Sequence, residues 1–165
     1  VTDELTGLFN RRFIEEASRS RFARGSSEPP LCSALMLDLD RFHALNERFG
    51  TTAGDSIIST AGAAYSRLIR DGDVAARLSG DEFAFFMPDA GPEEALAAAE
   101  RIRSETESLY LEFRSGPGAT PQRVSLSASI GVASSPFDAT DHVGLFAAAD
   151  KALFTGSASV HLSRR

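Results

Sequence analysis

The chain has little of what marks several broad classes of protein. Its 165 residues include one cysteine, Cys32, so no disulfide framework can form, which fits a reducing cytoplasm. Cys32 lies inside an apolar run and is interpreted as a small buried hydrophobe. No apolar stretch approaches the roughly 20 residues of a membrane-spanning helix, and no signal peptide is expected. We therefore expect a cytoplasmic domain that makes no membrane contact itself, although its parent protein could be anchored in a membrane.

Positive charge is also scarce. Seventeen Lys and Arg against 23 Asp and Glu give a net charge of -6. Duplex binding depends mainly on counterion release by clustered Lys and Arg, so no nucleic acid partner is expected. The length is that of one domain, and no repeat is visible. Because the chain opens on Val1 without a methionine, residues 1–165 are interpreted as a single domain excised from a longer multidomain protein.

The most informative stretch is a short turn that carries two adjacent carboxylates. Residues 74–78 and 83–87 are apolar enough to be strands, and Ser-Gly-Asp at 79–81 supplies turn chemistry. Asp81 and Glu82 would then lie at the tip of a hairpin. Carboxylates held in a turn are commonly just solvated, so this pattern alone does not establish a site.

A second acidic pattern lies upstream. Residues 31–37 form an apolar run of strand length that ends abruptly in Asp38-Leu39-Asp40. If this strand pairs beside the hairpin, Asp38 and Asp81 converge. Two carboxylates with backbone carbonyl oxygens suit Mg²⁺ or Mn²⁺, and such ions commonly bridge protein oxygens to the phosphates of a substrate.

Periodicity and capping predict the remaining elements. Asn10 can cap a helix that fades near residues 25–30, where glycine, serine and proline accumulate. Strict alternation between Val124 and Val132 predicts one half-buried strand. Together the patterns indicate an α+β sandwich, with further helices near 41–49, 53–69, 92–108 and 141–154 and a last short strand near 159–162.

Several spaced motifs resemble the GGDEF family, the diguanylate cyclases of bacterial signalling. The segment from Asp3 to Arg12 is similar to the family's D-x-L-T-x-L-x-N-R-R, and Asp38 to Phe42 is similar to its D-x-D-x-F. The signature turn reads Ser79-Gly80-Asp81-Glu82-Phe83, with serine at its first position. The resemblance continues through Asn46, Gly54-Asp55, the S-I-G-V of 129–132 and the A-D-K-A-L-F of 149–154.

The resemblance covers nearly the whole chain. It implies a ferredoxin-like palm of the nucleotide cyclase type, with a central, mostly antiparallel sheet flanked by helices. Asp3 and Arg12 are expected to form a salt bridge that holds the opening turn.

The resemblance also implies catalytic and metal-binding residues. Asp38 and Asp81 match the family's metal carboxylates, with the backbone oxygen of Leu39 as a further ligand. Glu82 matches an acid that is either a metal ligand or a polariser of the attacking hydroxyl. The expected cofactor is Mg²⁺ or Mn²⁺.

Asn46 and Asp55 match residues that read the edge of guanine. Their chemistry fits, because an Asp accepts from the N1 and N2 hydrogens and an Asn both donates and accepts. The alternative is that both residues only mark helix ends, where these types are common. The expected substrate-binding set is completed by the start of the helix after the first strand and by the signature turn, with residues Arg41, Phe42, His43, Ser79 and Gly80.

A third set matches the family's product-binding inhibitory site. Arg70 and Asp73 form an R-x-x-D five residues ahead of the signature turn, and Arg101 matches a further contact on the next predicted helix. The planar guanidinium suits a phosphate or a guanine edge. A helix that ends in arginine before a Gly-Asp turn is the simpler alternative.

Two departures weaken the resemblance to an active enzyme. His43 stands where the family usually has lysine, and a neutral imidazole carries no fixed charge. The family's A-K-x-x-G-R-N is replaced by Gly-Ser-Ala-Ser-Val-His-Leu at 156–162. Loss of two charge-assisted bonds would weaken GTP binding by about 3–6 kcal/mol unless His161, Arg164 or Arg165 compensates.

Two classes of function therefore stay open. In the first, an upstream sensory domain controls a homodimer that condenses two GTP into cyclic di-GMP and pyrophosphate. In the second, the domain is degenerate and binds cyclic di-GMP or GTP as a sensor without turnover. The acids and the guanine-reading pair favour the enzyme, whereas the missing cations favour the sensor. An acidic interaction domain that binds no nucleotide is a third, unrelated possibility.

Overall fold

The computed structural model describes residues 1–24, 27–153 and 160–162, which form five helices and seven strands. In chain order these are α1 (Arg11–Ala23), β1 (Cys32–Leu39), α2 (Phe42–Phe49), α3 (Thr51–Leu68), β2 (Val74–Ser79), β3 (Glu82–Pro88), α4 (Pro92–Ser108), β4 (Tyr110–Phe113), β5 (Gln122–Ser125), β6 (Ala128–Ser135), α5 (His142–Leu153) and β7 (Val160–Leu162). The Asn10 side chain caps α1 as predicted, since its Oδ1 accepts from the Phe13 N–H at 3.0 Å.

The central sheet has the strand order β2-β3-β1-β6-β7. The first four strands pair antiparallel with their neighbours, and β7 adds in parallel to β6. Along the chain, helices lie between β1 and β2 and between β3 and β6. The sheet is therefore built from two β-α-β units, as in ferredoxin-like folds. This arrangement confirms the predicted α+β palm.

Alternate residues of the central strands face two separate layers of core. Leu35, Leu37, Phe83 and Phe85 pack under α3 and α4, where the Tyr65 hydroxyl shares a 2.8 Å hydrogen bond with Thr106. Residues one position out of phase pack under α1 and α5, among them Ala34, Met36, Ala84 and Phe86. Because both faces of the sheet are covered, β1 and β3 read as continuous apolar runs.

The single strand predicted at 124–132 is wrong. The structure divides this stretch into β5, which pairs with β4, and β6, which pairs with β1. Leu126 and Ser127 connect the two strands. The Leu126 N–H still donates to the Leu109 carbonyl on the β4 side, whereas the Ser127 carbonyl already accepts from the Asp40 N–H at the end of β1. Apolar residues continue to alternate across residues 126 and 127, so the sequence periodicity does not reveal that the strand is divided there.

The predicted ion pair between Asp3 and Arg12 is also wrong. Asp3 pairs instead with Arg77 of β2, at 3.1 Å, while its other oxygen accepts from the backbone and hydroxyl of Thr6. Arg12 lies exposed on the first turn of α1. The second donor group of Arg77 bonds to the Gly80 carbonyl at 3.0 Å, so one side chain joins the opening turn to the signature turn.

Some predictions fall outside the described residues. These are the missing phosphate-binding cations at 156–159 and the compensating side chains of His161, Arg164 and Arg165. Among the helices of 1–24 and 27–153, none has the length and apolar character needed to cross a bilayer.

Candidate functional site

The sheet brings the two acidic patterns together as predicted. β1 lies beside β3 with Asp38 opposite Glu82, and the Leu39 N–H donates to the Asp81 carbonyl at 3.2 Å. Gly80 adopts a φ of 45°, a left-handed conformation that glycine accepts at little cost. The tight turn therefore presents Asp81 at the end of β1.

Asp38 is the acid of this site whose burial is least compensated by hydrogen bonds. Its Oδ1 is buried and has no hydrogen-bond partner among the described residues. Burial, followed by repulsion from Asp81, Glu82, Asp150 and Asp40, raises the Asp38 pKa to about 6. A buried acceptor with excess negative charge around it favours a cation.

The donor set fits a hard divalent ion. Carboxylate oxygens of Asp38 and Asp81 and a backbone carbonyl are the ligands that Mg²⁺ and Mn²⁺ prefer. Within the part of the chain that is described, no three His, Cys, Asp or Glu side chains are arranged to hold an ion by themselves. The remaining ligands would therefore be backbone oxygen, water and substrate phosphate, as is usual for Mg²⁺.

Asp40 has a structural role. Its two carboxylate oxygens accept from the hydroxyls of Ser129 and Ser127, each at 2.8 Å, and its N–H donates to the Ser127 carbonyl at 2.9 Å. These bonds fasten the end of β1 to the start of β6. Of the two acids in the D-x-D motif, only Asp38 is left unpaired by the neighbouring strands.

A cleft of about 350 Å³ opens beside these acids, at the start of α2. Arg41 precedes the helix with a φ of 59°, and the cleft is lined by Arg41, Phe42, His43 and Ala44 together with Asp38 and Asp81. Phe42 is half-buried against the core. Burial raises the Asp81 pKa, and a hydrogen bond from its own backbone N–H partly opposes this. The cleft thus places acids beside the first N–H groups of a helix, which favour an anion.

The two expected guanine-reading residues lie on neighbouring helices. Asn46 is half-buried on α2 and packs against Gly54 of α3, and Asp55 follows Gly54 and is exposed. Asp55 lines a shallow depression with Leu5 and Thr52, separate from the acidic cleft.

The signature turn carries one contact of its own. The Ser79 hydroxyl donates to Glu82 Oε1 at 3.2 Å across the turn. The serine that departs from the family's glycine therefore holds the Glu82 side chain.

The comparison with known proteins decides the family. A family model described as diguanylate cyclase, GGDEF domain, matches residues 1–159. The chain belongs to the GGDEF family.

Relatives of the GGDEF chain include diguanylate cyclase DosC of Escherichia coli K12, 34% identical over 153 residues, and response regulator PleD of Caulobacter vibrioides, 31% identical over 159. The matches cover 92% and 96% of this chain but only 32% and 34% of those proteins. The chain therefore spans about a third of the length of these relatives.

Solved structures agree with the family. The GGDEF domain of TpbB (YfiN) from Pseudomonas aeruginosa is 30% identical, with a TM-score of 0.84. The match covers 99% of this chain and 95% of that one. The GGDEF domain of DgcB from Caulobacter crescentus, solved in complex with c-di-GMP, is 26% identical with a TM-score of 0.86, and coverage is 98% and 95%.

The R-x-x-D residues of this GGDEF domain form a paired arrangement. Arg70 donates to Asp73 Oδ1 at 2.9 Å and to the Pro88 carbonyl at 2.6 Å, and Glu94 lies 3.6 Å away. The Asp73 side chain is 4% exposed, whereas that of Arg70 is 44% exposed. Arg101 lies on α4 and lines a different depression, with Leu68 and Ala97.

Asp150 of α5 is the acid near the GGDEF site that the sequence reasoning missed. It adds to the negative potential at Asp38, and its own pKa is raised by burial and by Glu82, against the opposing charge of Arg11. The A-D-K-A-L-F motif contained this residue, but helical periodicity could not show that α5 passes the end of β1. Ser127 and Ser129 were missed for the same reason.

Asp38 should make the metal-free GGDEF domain less stable at neutral pH. With a pKa of about 6 against 3.8 for an ordinary Asp, the folded state binds the proton more tightly, so the stability gained by protonation is full below pH 3.8 and lost as pH rises through 6. The upper limit is about 3 kcal/mol, which partial solvent screening reduces to about 1–2 kcal/mol. In EDTA, Asp38→Asn should therefore raise the Tm at pH 7.5.

Thermal melts of both proteins from pH 4.5 to 7.5 check this expectation. The Tm difference should be largest at pH 7.5 and shrink below pH 6, because the wild-type carboxyl then becomes neutral. Titrating groups that do not interact with Asp38 are common to both proteins and cancel. A Tm difference independent of pH would show that Asp38 is not destabilised by its charge.

Proposed function

We propose that this GGDEF domain is a diguanylate cyclase that condenses two GTP into one cyclic di-GMP and two pyrophosphates. In each of two equivalent steps a 3′-hydroxyl bonds to the α-phosphorus of the other GTP, its proton leaves, and the bond to pyrophosphate breaks. The observation that supports this most is the buried, unpartnered Oδ1 of Asp38, which lies among further acids beside a helix start. Acids and a nearby anion site are the combination that metal-dependent phosphoryl transfer needs.

Asp38, Asp81 and the Leu39 carbonyl would hold the divalent ion, Mg²⁺ or Mn²⁺. When bound, the ion would neutralise charge on the phosphates. Glu82 is positioned by the Ser79 hydroxyl and would serve as a further ligand or accept the proton of the attacking hydroxyl. Gly80 keeps the turn tight enough for the nucleotide to approach its backbone.

The start of α2 would bind the triphosphate. Phe42 and His43 begin this helix after Arg41 in its left-handed conformation, and both line the cleft with Asp38 and Asp81, so their backbone N–H groups would contact the phosphates. Helix N-termini favour anions because their first N–H groups are unpaired.

Each subunit would hold one GTP, so the reaction requires two copies of the domain to face each other as a homodimer. Residues 1–165 would act as one cytoplasmic unit of a longer protein, with a sensory domain upstream. The large length difference from DosC and PleD supports additional segments in the parent protein.

The direct experiment is incubation of the purified domain with GTP and Mg²⁺ or Mn²⁺, followed by chromatographic separation of products. Cyclic di-GMP and pyrophosphate in a 1:2 ratio support the enzyme. Binding of cyclic di-GMP without product formation would favour the second candidate, a sensor. The sensor is favoured by the paired Arg70 and Asp73 and by the absence of Lys and Arg from residues 156–162.

The assignment of Asn46 and Asp55 predicts a preference for guanine. Asp55 accepts from guanine N1–H and N2–H, but adenine offers no equivalent pair of donors, so GTP should bind more tightly than ATP by about 1–3 kcal/mol. Calorimetric titration with non-hydrolysable analogues of both nucleotides measures the difference. Asp55→Ala should remove most of it, whereas Glu47→Gln, an exposed acid beside Asn46, should not. Equal affinities for both nucleotides in the wild type would reject the assignment.

A further inference from the structure

The backbone conformation at Gly54 of α3 does not require glycine. The residue is buried in the first turns of the helix, and its N–H donates to the Gly50 carbonyl at 3.1 Å. Its φ does not lie in the left-handed region that favours glycine. Glycine is also a poor residue for a helix interior. The reason for glycine here must therefore be space.

The space is taken by Asn46. A Cβ at position 54 would lie 2.1 Å from Asn46 Oδ1, 3.1 Å from Asn46 Cγ and 3.3 Å from Phe42 Cζ. The first distance is far below any real contact of a Cβ atom. Any side chain at 54 would force the Asn46 carboxamide out of its present position or push α2 away from α3.

The connection between the helices leaves little room for the second response. Gly50 alone separates α2 from α3, with a φ of 95°, and its N–H donates to the Asn46 carbonyl at 2.8 Å. Leu45 and Ile57 also fix the two helices in the same buried core. The easier response to a Cβ is rotation of the Asn46 side chain.

We propose that Gly54 is a positioning residue for base recognition: by lacking a Cβ it seats the Asn46 carboxamide beside Asp55. This inference rests on the proposed function, in which Asn46 and Asp55 read guanine. Gly54 itself touches no nucleotide. It fixes the orientation of a polar side chain, which is what discrimination by hydrogen bonding requires.

The test compares Gly54→Ala, Asn46→Ala and the double variant, with Gly62→Ala as the matched control. Gly62 lies on the same helix, and a Cβ there would meet Thr6 Cβ at 2.6 Å, so it creates a comparable clash away from Asn46. Binding of GTP and ATP analogues is measured by calorimetry, and Tm and circular dichroism report stability and folding.

Gly54→Ala should weaken GTP binding about tenfold or more, the effect of a lost hydrogen bond, with ATP binding little changed. Gly62→Ala should lower the Tm and keep the GTP preference. In the Asn46→Ala background, Gly54→Ala should produce no further loss of GTP affinity. Its Tm penalty should become much smaller, because Oδ1 and Cγ are gone and only the 3.3 Å approach to Phe42 Cζ remains.

The measurements distinguish failure of the Gly54 proposal from failure of the proposed guanine site. A Tm penalty equally large with and without the Asn46 side chain, or an intact GTP preference in folded Gly54→Ala, would overturn the role of Gly54. A wild-type domain without GTP preference would overturn the proposed base site, and with it the recognition role. The Tm cycle would then still report whether Gly54 seats Asn46.

Discussion

Asp81→Asn should reduce cyclic di-GMP production by about a thousandfold or more while the domain stays folded. The variant removes one of two carboxylates that would hold the divalent ion, and charge stabilisation by such an ion is worth several kcal/mol, each 1.4 kcal/mol being tenfold in rate. The backbone bond between Leu39 N–H and the Asp81 carbonyl does not involve the side chain, so the turn should persist. Product chromatography measures turnover, and calorimetry with Mg²⁺ or Mn²⁺ measures ion binding directly.

Asp38→Asn should lose turnover and metal binding in the same way, because either acid alone leaves a one-carboxylate site. Glu112→Gln, an exposed acid on β4, is the control and should retain both. If Asp81→Asn bound metal and GTP as the wild type does, the metal site would have to lie elsewhere. The calorimetric readout makes this test independent of whether the wild type turns over.

Arg70→Ala should weaken cyclic di-GMP binding by about 2 kcal/mol or more, roughly thirtyfold, because it removes a charged and potentially bidentate donor. Asp73 and the Pro88 carbonyl already hold Arg70 in one orientation, so little ordering would accompany binding. Any GTP turnover should persist and escape product inhibition. Titration of both proteins with cyclic di-GMP measures the change, and activity at rising product concentration measures inhibition.

The matched control is Arg67→Ala, which removes an exposed arginine of the last turn of α3, three residues before Arg70. It should leave the affinity unchanged, whereas Arg101→Ala tests whether α4 contributes to the same ligand. Loss of Arg70 leaves the buried Asp73 carboxylate without its partner, so Tm must be recorded beside affinity. Absence of wild-type binding at high micromolar ligand would reduce the R-x-x-D to a helix end and a turn.

The sequence predicted the fold best where local signals and tertiary contacts agree. The bounds of α4 were predicted from Pro92 and two acids in its first turn, and the hairpin was predicted from its apolar strands and Ser-Gly-Asp. Convergence of Asp38 and Asp81 also followed from the sequence, because both lie at strand ends that meet once β1 pairs with β3.

What the sequence could not supply were contacts set by the packing of distant elements. The partner of Asp3 is 74 residues away in Arg77, and nothing local distinguishes Arg77 from Arg12 as a candidate. Asp150 reaches the acids only because α5 crosses the sheet near β1, and the division of 122–135 into two strands depends on which neighbour each half pairs with. These choices are made by burial and hydrogen bonding over the whole domain.

The two acids of the D-x-D motif have different roles, because the hydroxyls of Ser127 and Ser129 bond to Asp40. Both acids line the cleft, but Asp40 is bonded to the two serines whereas Asp38 Oδ1 has no partner among the described residues, so the two should be lost independently as related sequences diverge. A relative that keeps Asp40 and its serines but replaces Asp38 should fold normally and have no chemistry. A relative that keeps Asp38 but loses Asp40 should instead be an unstable protein with a potentially competent site. Scoring the acids separately would sort inactive descendants from active ones better than counting the motif as one unit.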